Sequence, residues 1–228
     1  MELNLENQLC RISQKTTKYI HNKLIKWGEI NLRDFPWRKT NNIYEILIAE
    51  IFLQRTKAEQ VLPIYLQFIE KYPGFTHINK TNIKEIEEEI YPLGLYKERA
   101  ERLKKLANVL TCNYKCNIPK DLNELKSLPG IGEYTARALL CFGFGRKIAI
   151  VDTNIVRLYK RFFGLKSKTE IRRNKHLLCF ADKIIIEPAR LFNYSLLDIT
   201  SAICKPRNPL CKLCPIKRKC HYFIYNSI

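Results

Sequence analysis

Four cysteines near the C-terminus, Cys204, Cys211, Cys214 and Cys220, stand in a C-x6-C-x2-C-x5-C array. Thiolates this close, separated by short loops, can converge on one centre, either a tetrahedral zinc or an iron-sulfur cluster. Spacing alone does not choose between them. Four cysteines within seventeen residues, among Pro206, Pro209 and Pro215, are too concentrated to be a scatter of small buried hydrophobes.

Two further segments carry chemistry. Leu128-Pro129-Gly130-Ile131-Gly132 reads as a tight turn between helices, since proline ends the first helix and the glycines admit a sharp bend. Open backbone N–H groups there would suit a phosphate at Gly130, Ile131 and Gly132. Twenty residues on, Asp152 follows the apolar run Ile148-Ala149-Ile150-Val151. Aspartate is a good helix N-cap, and a partly desolvated carboxylate can also face a developing positive charge. Glu50 shares a helical face with Leu47 and Ile51, where a carboxylate is costly to bury unless protonated or paired; the alternative is a glutamate turned to the surface.

The elements that must position these residues read as helices. Apolar residues recur three and four apart over Leu9–Ile25, Ile43–Leu53, Ala58–Tyr72, Ile83–Ile90, Arg99–Leu110, Asp121–Lys126, Tyr134–Phe142, Thr153–Phe163, Thr169–Ile186 and Pro188–Cys204. Asn82 and Asp152 sit where N-caps belong. Alternating strand patterns are scarce, so the expected class is all-α. No Gly/Ser-rich tether appears, which predicts two lobes sharing an interface rather than hanging on a linker.

Composition narrows the partners. Lys and Arg number 40 against 22 Asp and Glu, a net charge of +18, which points to a polyanion such as nucleic acid. Of nine cysteines, the five outside the array show no paired spacing, against a secreted disulfide framework. The opening MELNLENQ lacks a signal-peptide pattern and no apolar run would span a membrane, so an intracellular protein is expected.

Together, Leu128-Pro129-Gly130-Ile131-Gly132, Val151-Asp152 and the cysteine array resemble the helix-hairpin-helix DNA glycosylases of the endonuclease III superfamily, from about Tyr19 to Cys220. The resemblance implies a [4Fe-4S] cluster on the four cysteines and two helical lobes flanking a DNA-binding cleft. One lobe would span residues 29–146; residues 1–28 with 147–228 would form the other, the cluster loop being 204–220. It further implies a monomer acting on double-stranded DNA that contains a mismatch, with no membrane partner.

Within the superfamily, Tyr134 stands where bifunctional lyases carry a Schiff-base lysine, and tyrosine cannot form that imine. Glu50 matches the glutamate that serves the departing base. Gln54 matches the residue that enters the gap left by the extruded nucleotide, and Arg55 is assigned to DNA beside it. Leu95, in Leu93-Gly94-Leu95-Tyr96, matches a wedge in the base stack; an ordinary core leucine is the alternative. Leu95, the longer spacing before Arg99-Ala100, and Asp34-Phe35-Pro36-Trp37-Arg38 resemble the thymine-mismatch branch rather than the MutY-type adenine branch. Only eight residues follow Cys220, so the extra domain of adenine glycosylases is expected to be absent. The implied activity is monofunctional removal of thymine, and uracil, opposite guanine, with Asp152, Glu50 and Tyr134 catalytic. The competing expectations are an adenine glycosylase, a glycosylase/AP lyase, and a zinc-dependent DNA-binding module without activity.

Overall fold

The computed structural model describes residues 4–167, 171–172 and 174–226, and among these there is no strand. In chain order the helices are α1 Leu5–Cys10, α2 Gln14–Asn31, α3 Ile43–Phe52, α4 Ala58–Lys71, α5 Phe75–Lys80, α6 Ile83–Ile90 and α7 Tyr96–Tyr114. There follow α8 Leu122–Ser127, α9 Glu133–Ala138, α10 Thr153–Phe163, α11 Lys175–Ile184, α12 Ala189–Ala202 and α13 His221–Asn226. The protein is all-α, and no described helix is long and apolar enough to cross a membrane.

Several boundaries differ from the sequence reading for local reasons. The stretch expected as one helix over Leu9–Ile25 is two, because Ser13 leaves helical geometry and its hydroxyl accepts the Thr16 N–H at 3.2 Å, starting α2 afresh. Helices α5 and α13 were not foreseen; each has six residues, too short for a clear period. The helix expected over Tyr134–Phe142 changes to a π-turn at Leu139–Gly143. Of the helix expected over Thr169–Ile186, residues 169, 170 and 173 lie outside the described residues, and α11 begins at an Asn174 cap. Asn82 caps α6 as read, accepting from Lys84 N at 3.0 Å.

The chain divides into two compact units, Asp34–Phe144 and Met1–Arg33 with Gly145–Ile228. The first division falls at Arg33 rather than at residue 28 because α2 runs unbroken through Gly28. That glycine is fixed by close approach: a Cβ there would lie 1.9 Å from Ser195 Oγ on α12.

In the 34–144 unit, α3 is buried almost throughout and packs against α4, α9 and the π-turn. Trp37 meets Tyr65, and Phe52 meets Phe68, edge to face at 5.1 and 5.0 Å. Phe52 thereby anchors α3 on α4, and truncating a buried ring of this kind to alanine costs about 3–5 kcal/mol. In the other unit, α2 packs on α12 and α10 packs on α12 and α13. Buried Asn193 on α12 accepts from Ile150 N at 3.0 Å and donates to Ile148 O at 3.0 Å, while Asp182 accepts from Ala149 N at 2.7 Å. Non-helical backbone leading to Asp152 thus has its polar groups met by side chains.

Candidate active site and nucleic-acid interface

Glu50 lies in the third turn of α3 and is 6% exposed, so the surface alternative is excluded. Its Oε2 is buried with no hydrogen-bond partner among the described residues. Burial pushes its carboxyl up from 4.5 to about 7, with the Arg38 guanidinium pulling the other way. A carboxyl that can hold or release a proton near neutrality is suited to general acid work. Tyr134 is half-buried on α9, the helix against which α3 packs.

Beside this platform, Gln54, Arg55, Leu95 and Gly130 line one cavity of about 150 Å³ together with Glu98, Arg99, Arg102 and Pro129. Two of its walls carry non-glycine residues in the left-handed region, Arg55 at φ 62° and Leu95 at φ 50°. Leu95 is 49% exposed, which removes the core-leucine alternative. The turn behaves as its glycines require, with Gly130 at φ 79°. Gly130 and Gly132 are exposed, and Gln54 Nε2 reaches Gly130 O at 3.5 Å. Ile131 between them has a side chain 4% exposed, and its N–H donates to Leu128 O at 3.1 Å.

In the other unit Asp152 is the N-cap of α10, accepting from Ile155 N at 2.7 Å through Oδ1 and from Asn154 Nδ2 at 2.9 Å through Oδ2. Asn154 in turn accepts from Arg157 Nη1 at 2.7 Å. Arg157 also donates to Cys204 O at 2.9 Å and Thr200 O at 3.0 Å. A continuous chain of hydrogen bonds therefore runs from the Asp152 carboxylate to the backbone of the first array cysteine.

All four array cysteines line one pocket, whose walls include Leu158, Phe162, Ile203 and Ile216. Arg161 Nη1 stands 3.6 Å from Cys204 Sγ, and its guanidinium holds the loop through Lys205 O at 2.6 Å and Pro206 O at 3.0 Å. Backbone N–H groups of Ile216, and of Tyr222 and Phe223, are directed at Cys214 and Cys220. Burial pushes the Cys214 thiol up to about 12. Among the described residues no group of three or more His, Cys, Asp or Glu side chains is placed to hold a metal ion. Four sulfurs around an apolar pocket, with N–H donors and a cation turned to them, fit an iron-sulfur cluster.

Sequence reasoning missed Arg99, Arg157, Arg161, Asn193 and Asp182. Arg99 had a signal: it falls in register with Leu103, Leu106 and Leu110 on the apolar stripe of α7, where a charge is out of place. Asn154 stood in the segment already singled out around Asp152.

A helical platform with a buried carboxyl, a glycine turn and a capped aspartate defines a class, and comparison with known proteins agrees. The profile of the HhH-GPD superfamily base excision DNA repair protein matches residues 48–181, and the chain belongs to that superfamily. It is 38% identical over 212 residues to the thymine/uracil-DNA glycosylase of Methanothermobacter thermautotrophicus, covering 92% of this chain and 96% of that one. It is 32% identical to the adenine DNA glycosylase of Buchnera aphidicola subsp. Schizaphis graminum, over 90% of this chain and 60% of the relative. The solved structure of a thermostable thymine-DNA glycosylase superposes with a TM-score of 0.88 at 38% identity, over 92% of this chain and 97% of that one.

Proposed function

We propose that this protein is a monofunctional DNA glycosylase that hydrolyses the N-glycosidic bond of thymine, and of uracil, mispaired with guanine. The observation that carries the hydrolytic reading is Glu50, a buried carboxyl with an unpartnered oxygen near neutrality on a rigid helix. The substrate follows from the thymine/uracil relative, which the chain matches nearly end to end.

A target base inside a duplex is out of reach, so the nucleotide must be extruded; a mispaired base is easier to extrude, which supplies part of the selectivity. Basic surface and the open backbone at Gly130 and Gly132 take phosphates. Gln54 and Leu95 enter the stack as the nucleotide leaves. Glu50 donates its proton to the departing base as the bond to C1′ breaks, and Asp152 stabilises the oxocarbenium-like sugar and positions the water whose oxygen bonds to C1′. The proton lost by that water passes to solvent, from which Glu50 is reprotonated. Tyr134 lines the base pocket. Tyr134 has no amine, so the imine of the bifunctional lyases does not form at that position.

Cys204, Cys211, Cys214 and Cys220 would hold a [4Fe-4S] cluster, which when bound would tie residues 204–220 to the unit carrying Asp152. Its expected signature is iron and sulfide in the purified protein with broad visible absorption; zinc in a colourless protein would replace this reading.

The test is a duplex panel carrying T·G, U·G, A·G and thymine glycol, with strand breaks scored before and after alkali. Breakage at T·G and U·G only after alkali is expected. Release of adenine alone would move the protein to the adenine branch, breakage without alkali would make it a lyase, and no release would remove the enzyme.

A further inference from the structure

One buried side chain holds both elements that flank the cavity beside α3. Arg99 is 5% exposed. Its Nη1 donates to Ile51 O and, at 3.1 Å, to Phe52 O; its Nη2 donates to Gln54 O and to Thr56 Oγ1, each at 3.2 Å. These carbonyls end α3 and begin its turn, where a helix leaves its last acceptors unmet. The backbone supplies little else there, with Gln54 N to Ile51 O and Thr56 N to Leu53 O both at 3.4 Å. Thr56 Oγ1, accepting from Arg99, donates onward to Leu93 O at 2.9 Å, and Arg99 N donates to Leu95 O at 3.0 Å. A single guanidinium therefore binds the turn bearing Gln54 and Arg55 to the loop bearing Leu95. Both loops include a non-glycine residue in the left-handed region, a conformation that persists only where its surroundings hold it.

We propose that Arg99, with Thr56 as its relay, is the positioning residue that sets Gln54 and Leu95 as a rigid pair for insertion into a base stack. This rests on the base-excision reading above. A lysine offers a point charge in place of the planar fork and cannot bridge three carbonyls and a hydroxyl at once. Thr56→Val keeps the shape of residue 56 and removes only the relay.

The experiment compares wild type, Arg99→Lys and Thr56→Val on two substrates: a U·G duplex with 2-aminopurine beside the mismatch, and a duplex whose uracil is already unpaired in a bulge. Single-turnover excision and the 2-aminopurine fluorescence rise on unstacking are both read. Expected is a loss of about tenfold on U·G with a smaller fluorescence rise, and excision from the bulge within about twofold of wild type. Equal losses on both substrates with an unchanged fluorescence rise would make Arg99 a helix cap only, overturning the inference. So would wild-type behaviour of both variants. If Arg99→Lys does not fold, Thr56→Val decides. If wild type releases no base from either duplex, the base-excision reading fails, and the fluorescence rise alone still decides whether Arg99 sets the inserting pair.

Discussion

Glu50 and Asp152 are the two carboxylates on which the proposed chemistry rests, and their surroundings are opposite. In the 34–144 unit, Glu50 sits inside a helix with aromatic and aliphatic neighbours, one oxygen without a donor, and a pKa pushed up by burial. In the other unit, Asp152 caps a helix, with a donor on each oxygen and buried side chains holding the backbone before it. The first environment favours a proton on the carboxyl; the second gathers donors around a negative charge. In the proposed reaction Glu50 is the proton donor and Asp152 the charge stabiliser.

Exchanging the charge of Asp152 gives the largest effect. Asp152→Asn should lower single-turnover excision by about 10³-fold, the scale of losing a positioned electrostatic group. Asparagine caps a helix as well as aspartate, so melting should move little. A comparable loss of stability would mean that Asp152 is a cap and nothing more.

Glu50→Gln should cost about 10²-fold, as expected for a general acid, and should change stability in the opposite sense from most core substitutions. Below pH 4.5 folded and unfolded chains both hold the Glu50 proton; between 4.5 and about 7 only the folded chain does. Wild-type stability from this group therefore falls as pH rises through that window and levels off above it, by on the order of 3 kcal/mol. Urea unfolding at pH 4.5 and pH 8 should show that slope in wild type and its loss in Glu50→Gln.

Arg157→Ala should be milder, about tenfold in excision, since it removes charged hydrogen bonds that act through Asn154. It should also speed release of iron from the proposed cluster to a chelator, because the same guanidinium holds Cys204 O. Smallest is Arg55→Gln, which should leave excision at saturating DNA nearly unchanged and reduce the slope of log affinity against log salt by about one.

The fold was legible wherever apolar periodicity ran long enough. Helices α3, α4, α6 and α10 lie close to where spacing placed them, and caps at Asn82 and Asp152 were readable one residue at a time. Six-residue α5 and α13 were not foreseen, whereas α8, equally short, opens on an Asp121 cap, and the break at Ser13 was hidden because apolar residues fall on both sides of it.

The residues proposed to react could be singled out in the sequence, whereas the side chains that support them could not. Glu50 betrayed itself as a charge on an apolar stripe, and so did Arg99, although only the structure shows that its partners are backbone carbonyls. Carbonyl acceptors carry no sequence signature. Arg157 and Asn193 act on backbone more than forty residues away, a separation that no local pattern encodes. The turn motif likewise does not say which of its side chains faces outward, and that of Ile131 is buried.

The division of labour between the two carboxylates is tested most directly by the pH dependence of single-turnover excision from a T·G duplex, measured from pH 5 to 9 for wild type and Glu50→Gln. The wild-type rate is expected to fall as pH rises past about 7, where Glu50 loses its proton, and this limb to be absent from the slower variant. A wild-type rate that is flat across neutrality, or the same limb in Glu50→Gln, would contradict it.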